Sequence, residues 1–385
     1  MREVYLDNAA TTPMSPKVIN VITDEMKNDF GNASSTYELG RKARNVIDKA
    51  RHQIAQSINA QDGEIIFTSG GSESNNTAIF GTAYSRKNIG KKIITTKIEH
   101  PSVLNPMKRL EKEGYQVVYL NVDQSSHISL EKLKQELTPD TILVSTMAVN
   151  NEVGSIMPLK EIGEMVKDTN AYFHVDNVQG MGTIDIDVRA MHIDLLSVSA
   201  HKINGPKFLG FLYEKSDIDL PNLVLGGEQE VKRRAGTENV PGIAGFGEAV
   251  KELSEIGHAS LQERYQHFQE IILHELDAHH IDYQVNGGYG PGYSHHVLNL
   301  AFPGVSTTTL QTNLDLNGFA VSGGSACTAG SLEPSHVLIA CFGPDSPRIH
   351  DSIRISFGRY NTDDEVQAFA ENLIKVVQRI QSKNK

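Results

Sequence analysis

Between about Ala60 and Tyr213, short β-branched runs alternate with stretches of helical character, and that alternation restricts the chain to a small set of architectures. Strand, helix and a neighbouring strand of the same direction build a parallel sheet wrapped by crossover helices. Lys92 to Thr96 reads as such a strand, and Pro101 suits the first turn of a helix carrying Val103, Leu104, Met107 and Leu110. Gly114 stops that helix, and Gln116 to Leu120 reads as the next strand. Thr141 to Val149, Ala171 to Val175 and Ile193 to Ser199 are near-continuous apolar runs, as expected of strands covered on both faces. The expected fold class is α/β, with a large, mostly parallel sheet wrapped by helices. After about Leu220 the pattern changes to a Gly-rich loop, two helical stretches across roughly Glu238 to His279, and short strands at His296 to Ala301 and Ile353 to Phe357. A second, smaller α+β domain is predicted there, with Gly287 to Tyr293 as a loop between the two parts.

At 385 residues the chain is long enough for two domains, and its formal net charge of -11 argues against nucleic acid as a direct partner, since phosphate binding needs a basic surface. No window approaches the roughly 20 apolar residues of a membrane helix. Met1 to Thr12 contains Arg2 and Glu3 and lacks the apolar stretch of a signal peptide, so a cytoplasmic protein is expected. In a reducing cytosol Cys327 and Cys341 are expected as thiols.

In open α/β sheets, ligands bind outside the carboxyl ends of the strands, which makes Asn150, Asn151, Asp176 and the run Ser199 to Lys202 a convergent site. A lysine at a strand end is ordinarily a solvated surface group, but Lys202 can also form an imine. Asp176 ends His174-Val175-Asp176 and supplies the carboxylate that a cofactor's pyridinium nitrogen needs. Alone, it would serve as well as a turn or cap residue. Gly70-Gly71-Ser72-Glu73-Ser74-Asn75 follows the apolar Ile65-Ile66-Phe67 and enters a helix, placing free amides where a phosphate can sit, although a plain turn would use the same glycines. His100 precedes Pro101 at another strand-to-helix turn, where it can stack on a flat ring or simply cap the helix. Neither a dinucleotide fingerprint nor a P-loop is present.

Cys327 lies among small residues from Ser322 to Ser331, a setting that leaves a thiol reachable and able to ionise, whereas Cys341 in Val337-Leu338-Ile339-Ala340-Cys341-Phe342 reads as core. In Ile353-Arg354-Ile355-Ser356-Phe357 the alternation puts Arg354 on the face opposite the apolar residues. There it can take a substrate carboxylate through paired hydrogen bonds, or serve in an exposed salt bridge.

Together these residues resemble the cysteine desulfurases of the NifS/IscS type, in the class V aminotransferase group of fold-type I pyridoxal-phosphate enzymes. The resemblance runs from Tyr5-Leu6-Asp7-Asn8-Ala9-Ala10-Thr11-Thr12 through Gly31-Asn32-Ala33-Ser34-Ser35, Asn150-Asn151-Glu152-Val153-Gly154 and Arg234-Ala235-Gly236-Thr237 to Ser352-Ile353-Arg354-Ile355-Ser356-Phe357-Gly358-Arg359. It implies a large cofactor-binding domain over 15–255, with 1–14 and 256–385 forming a small domain that carries the nucleophile loop (about 322–331) and Arg354.

Lys202 would hold pyridoxal 5'-phosphate through its amine, with Asp176 on the ring nitrogen, Gln179 on the ring hydroxyl and His100 stacked on the ring. Gly71, Ser72, Ser199 and His201 would hold the phosphate, with Thr237 contributed by the other subunit of a homodimer. Asn32, Asn151 and Arg354 would orient L-cysteine. Lys202 would move the α-proton, His100 would act as acid-base group near the sulfur, and Cys327 would take the sulfur as a persulfide, leaving L-alanine. Ser72 stands where the family commonly has threonine, which keeps the hydroxyl. The chain ends at Lys385, directly after a helix at about Asp363 to Gln381, without the longer C-terminal extension of housekeeping members. The persulfide acceptor is therefore open between an iron-sulfur scaffold and a tRNA thiouridylase. A selenocysteine lyase or cysteine-sulfinate desulfinase, a related aminotransferase, and a non-catalytic sulfur carrier or scaffold partner share the fold and are the competing readings.

Overall fold

The computed structural model describes residues 3–323 and 334–383. Its strands in chain order are β1 (Val4–Tyr5), β2 (Ile65–Thr68), β3 (Lys92–Thr96), β4 (Gln116–Leu120), β5 (Thr141–Met147), β6 (Tyr172–Asp176), β7 (Leu195–Ser199), β8 (Gly210–Glu214), β9 (Gln284–Asn286), β10 (Val297–Ala301), β11 (Phe319–Ala320) and β12 (Ser352–Ser356). Seven of them form one sheet in the order β2-β8-β7-β6-β5-β3-β4. All run parallel except β8, which is antiparallel to both its neighbours. The apolar runs of the sequence are among these strands, which are buried on both faces between layers of helices except at the half-exposed edge strand β4.

β5 is shorter than the apolar run predicts. After Met147 the chain leaves the ladder, and Val149 instead bridges Ile156 across a tight turn. Asn150 builds that turn: its Oδ1 accepts from the backbone N–H groups of Glu152 and Val153. Within the sheet one polar rung crosses three strands, with His174 on β6 bonded through Nδ1 to Ser145 of β5 and through Nε2 to Ser197 of β7. Burial holds the His174 imidazole neutral, its pKa pushed down to about 3, so both ring nitrogens are satisfied without a charge in the core.

Two helices begin at the carboxyl ends of sheet strands. One, Gly71–Ser85, starts directly after β2, where Gly70 takes φ 142°, a conformation closed to other residues. The other, Pro101–Lys112, has proline in its first turn and His100 as its N-cap. The remaining strands form a three-stranded antiparallel sheet, β12-β10-β9, and the pair β1-β11. Helices His258–Ala278 and Asp363–Lys383 pack together beside them, and Phe268 and Tyr265 meet Phe357. β1 and β12 bring the N-terminal segment and Arg354 over the carboxyl edge of the large sheet, where Asp7 bridges Ser356.

Candidate active site

A cavity of about 470 Å³ opens at this edge, and its lining includes Gly71, Ser72, His100, Asn151, Asp176, Gln179, Ser199, His201, Lys202 and Arg354. Ten of the residues singled out in the sequence therefore meet in one place. β6 delivers Asp176, β7 delivers Ser199, the short turn after β7 delivers His201 and Lys202, and β12 delivers Arg354.

Asp176 is 4% exposed, and each of its oxygens accepts a hydrogen bond: Oδ1 from the Val178 backbone N–H at 3.0 Å, Oδ2 from Asn75 Nδ2 at 2.8 Å. A carboxylate held in this way points its charge into the cavity. Lys202 Nζ donates to the carbonyls of Ala9 and Ala10, at 2.5 and 2.9 Å. Gln179 donates to the same Ala9 carbonyl at 2.8 Å and accepts at Oε1 from His296 Nε2 at 3.0 Å. His296 is buried, and burial, with Arg354 and Lys202 nearby, holds its pKa down to about 3, so it orients Gln179 as a neutral donor.

Gly71 and Ser72 open the helix Gly71–Ser85 against the cavity, so its first N–H groups and positive end face the space also lined by Ser199 and His201. Burial, with Lys202 and Lys207 beside it, lowers the His201 pKa to about 4. The neutral ring bonds Thr11 through Nδ1. A Cβ on Gly71 would lie 2.6 Å from Val178 Cγ2, so this helix end approaches the Asp176 turn as closely as a glycine permits.

Arg354 is 1% exposed. Nη2 donates to Asp7 Oδ1 at 2.7 Å and Nη1 to the Asn151 carbonyl at 2.9 Å, while Nε is buried without a partner in the protein. A guanidinium so fixed at two corners retains N–H groups for a ligand carboxylate. The arginine is thus neither exposed nor spent in a surface salt bridge.

Two expected residues are not in this cavity. Asn32 is exposed, and its Oδ1 accepts from the Ser34 backbone N–H. Thr237, also exposed, lines an adjoining hollow that shares Ser69 and Phe208 with the cavity. Its loop is tied to the helix Gly71–Ser85 by the Arg234–Glu73 ion pair at 2.9 Å. Cys327 lies outside the described residues. Among the described residues near that segment in sequence, Ser322 exchanges backbone hydrogen bonds with Arg354, and His336 bonds the Glu99 carbonyl through Nε2. Cys341 is buried and burial pushes its thiol up to about 11, as expected of a core cysteine.

Sequence reasoning missed the residues that hold the others: Asn75 on Asp176, Asp7 on Arg354, His296 on Gln179, and Ser102 on His100. It also missed Glu99, whose carboxyl is completely buried beside the site and whose pKa is pushed up to about 8 by burial. No group of three or more metal-ligating side chains occurs among the described residues. The donor set suits a planar heterocycle with a basic ring nitrogen, a carbonyl and a phosphate.

Residues 4–369 match the family model for class V aminotransferases. The chain is 52% identical over 380 residues to the putative cysteine desulfurase IscS 1 of Bacillus subtilis, spanning 99% of this chain and 100% of that one. It is 42% identical to the cysteine desulfurase IscS of Methanosarcina thermophila, across 99% and 93% of the two chains. Among solved structures, a NifS-like protein superposes with a TM-score of 0.91 at 33% identity, covering 98% of this chain and all of that one. SspA in complex with cysteine gives a TM-score of 0.81 at 34% identity, covering 93% and 100%. The chain therefore belongs to the class V aminotransferase family, among the cysteine desulfurases of the NifS/IscS type.

Proposed function

We propose that this protein is a pyridoxal-phosphate-dependent cysteine desulfurase, which converts L-cysteine to L-alanine and carries the sulfur as a persulfide on Cys327. The observation that carries the reading is one cavity holding an amine, a buried carboxylate, a helix N-terminus with serine hydroxyls, and a buried arginine with an unpartnered Nε. The first three are complements to the carbonyl, ring nitrogen and phosphate of pyridoxal phosphate; the fourth is the complement to an amino-acid carboxylate.

When bound, the cofactor supplies an electrophilic carbonyl for an amine and a ring that withdraws the electron pair left on the substrate's α-carbon. Asp176 would pair with the ring nitrogen, and Gln179, fixed by His296, would bond the ring hydroxyl. Gly71, Ser72, Ser199 and His201 would hold the phosphate. Arg354 would take the substrate carboxylate, with Asn151 orienting the amino acid, while Asn32 stands outside the cavity. Lys202 would hold the cofactor through Nζ, and its amine is the base that would move the substrate's α-proton. Cys327, as thiolate, attacks the substrate sulfur. The S–S bond forms as the C–S bond breaks, and the electron pair stays on the carbon that takes up a proton to become the methyl group of alanine.

A homodimer belongs to this reading, with Thr237 supplied across the interface. Phe208, 81% exposed at the cavity mouth, and Leu225 and Val231, 83% and 77% exposed, offer the apolar surface that a second copy would cover. The persulfide then passes to an acceptor protein, an iron-sulfur scaffold or a tRNA thiouridylase. The test is alanine and sulfide released from L-cysteine with a reductant present. Equal amounts from the wild type, lost in both Cys327→Ala and Lys202→Ala, are expected. Full activity of Cys327→Ala would replace the persulfide step with a lyase mechanism.

A further inference from the structure

His100 caps the helix Pro101–Lys112, and the cap decides which of its nitrogens carries the proton. The Ser102 backbone N–H donates to His100 Nδ1 at 3.1 Å. A ring nitrogen that accepts cannot carry its own hydrogen, so in the neutral ring the proton sits on Nε2. The Ser102 hydroxyl lies 2.7 Å from the same Nδ1. Its oxygen receives an N–H from Asn75 at 2.8 Å, which leaves the hydroxyl proton to point at Nδ1. Asn75 uses Nδ2 a second time on Asp176 Oδ2, also at 2.8 Å. The run is continuous: Asp176 fixes the Asn75 amide, Asn75 orients the Ser102 hydroxyl, and Ser102 holds Nδ1 from backbone and side chain together.

Protonating Nδ1 would set an N–H against the Ser102 N–H at the positive end of a helix, a double penalty. Burial disfavours the imidazolium further. Among the described residues, the charged and titratable groups acting on the ring include Asp176, Lys202 and His336. Asp176 favours the cation and the other two oppose it.

We propose that Ser102 and Asn75 are positioning residues that lock His100 as the Nε2–H tautomer, so that it meets the substrate as a hydrogen-bond donor and takes no proton from it at Nε2. Resting on the desulfurase reading only for the identity of the substrate, this assigns His100 the stabilisation of an anionic sulfur in place of acid-base transfer.

The test is nitrogen-15 NMR of the histidine side chains in full-length holoenzyme, with the His100 signals identified by their loss in His100→Gln. A protonated Nε2 and a bare Nδ1 are expected from about pH 6 to about pH 8; a protonated Nδ1, or a mixture of tautomers, overturns the proposal. In Ser102→Ala the Nδ1 resonance should move toward that of an unbonded acceptor, and in Ser102→Thr it should return. Alanine formation should fall about fivefold in kcat in the first variant, with KM unchanged, the loss of one ordinary hydrogen bond. An unmoved Nδ1 resonance in Ser102→Ala removes the hydroxyl from the mechanism. The tautomer is read without turnover, so a failure of the desulfurase assay and a failure of this inference are separate results.

Discussion

Replacing Glu99 by glutamine should flatten the loss of stability that the wild type shows as pH rises. The Glu99 side chain is completely buried, with Oε1 accepting from Thr96 Oγ1 at 2.6 Å and from the Met147 N–H at 3.1 Å, while Oε2 has no partner. Burial is the main cause of its raised pKa; Thr96 and Met147 pull it down, and the Asp176 charge adds to the rise. The folded value of about 8 stands against an ordinary 4.5. Because the folded pKa is the higher one, the stabilisation is complete below 4.5 and is lost as pH climbs through about 8. Between those limits the unfolded chain ionises and the folded one does not, so stability drops by about 1.4 kcal/mol per pH unit, at most about 5 kcal/mol in all.

Glutamine has no proton to lose. It does place a buried amide where Oε2 lacks a partner, at a cost of about 1–3 kcal/mol, but that cost is the same at every pH. The readout is the slope. Urea unfolding of the cofactor-stripped protein, from about pH 5 to about pH 8, should show the wild type losing stability relative to Glu99→Gln at roughly the stated rate. Parallel curves would refute the reasoning and mean that Glu99 is ionised in the folded state.

Asp7→Asn should loosen Arg354 and raise KM for L-cysteine by about tenfold, with a smaller fall in kcat, because a hydrogen bond between charged groups is worth about 1.5–3 kcal/mol. Steady-state alanine formation checks it, and a fall in kcat alone would count against Asp7 as the orienting group. Gly71→Ala forces a Cβ to within 2.6 Å of Val178 Cγ2 and should push the helix end away from the Asp176 turn. Cofactor affinity, followed by absorbance during titration of the stripped enzyme, should weaken about tenfold or more. Breaking the Arg234–Glu73 pair with Arg234→Ala should release the loop that carries Thr237 and weaken cofactor binding in a concentration-dependent way if that loop serves the other subunit. Affinity independent of protein concentration would argue against a shared site.

The alternating runs from Ala60 to Tyr213 made the sheet legible, because strands buried on both faces leave little choice but Val, Ile and Leu. Asp176, Ser199 and Lys202 were legible for a related reason: in such a sheet, polar residues at the carboxyl ends of apolar strands share one edge, whatever lies between them in sequence. Arg354 was half legible. Its face followed from the alternation, but its burial depends on Asp7, 347 residues away, and no local pattern announces that pairing. Asn75 and Ser102 were illegible for a different reason. Each sits in the first turns of a helix where a small polar residue usually has a local task, and only the side-by-side approach of the two helices makes one bond the other.

The residues that meet at the cavity were thus legible by their type and position, and the residues that orient them were not, since orientation is a property of the contact and not of either sequence segment. The Ser102 cap makes the point on His100. From sequence, a helix cap and a ring-stacking group were alternatives. In the structure the cap is made: Nδ1 accepts from the Ser102 N–H, which leaves the proton on Nε2 of a ring that lines the cavity. A structural role at one nitrogen thus limits what the other can offer a ligand.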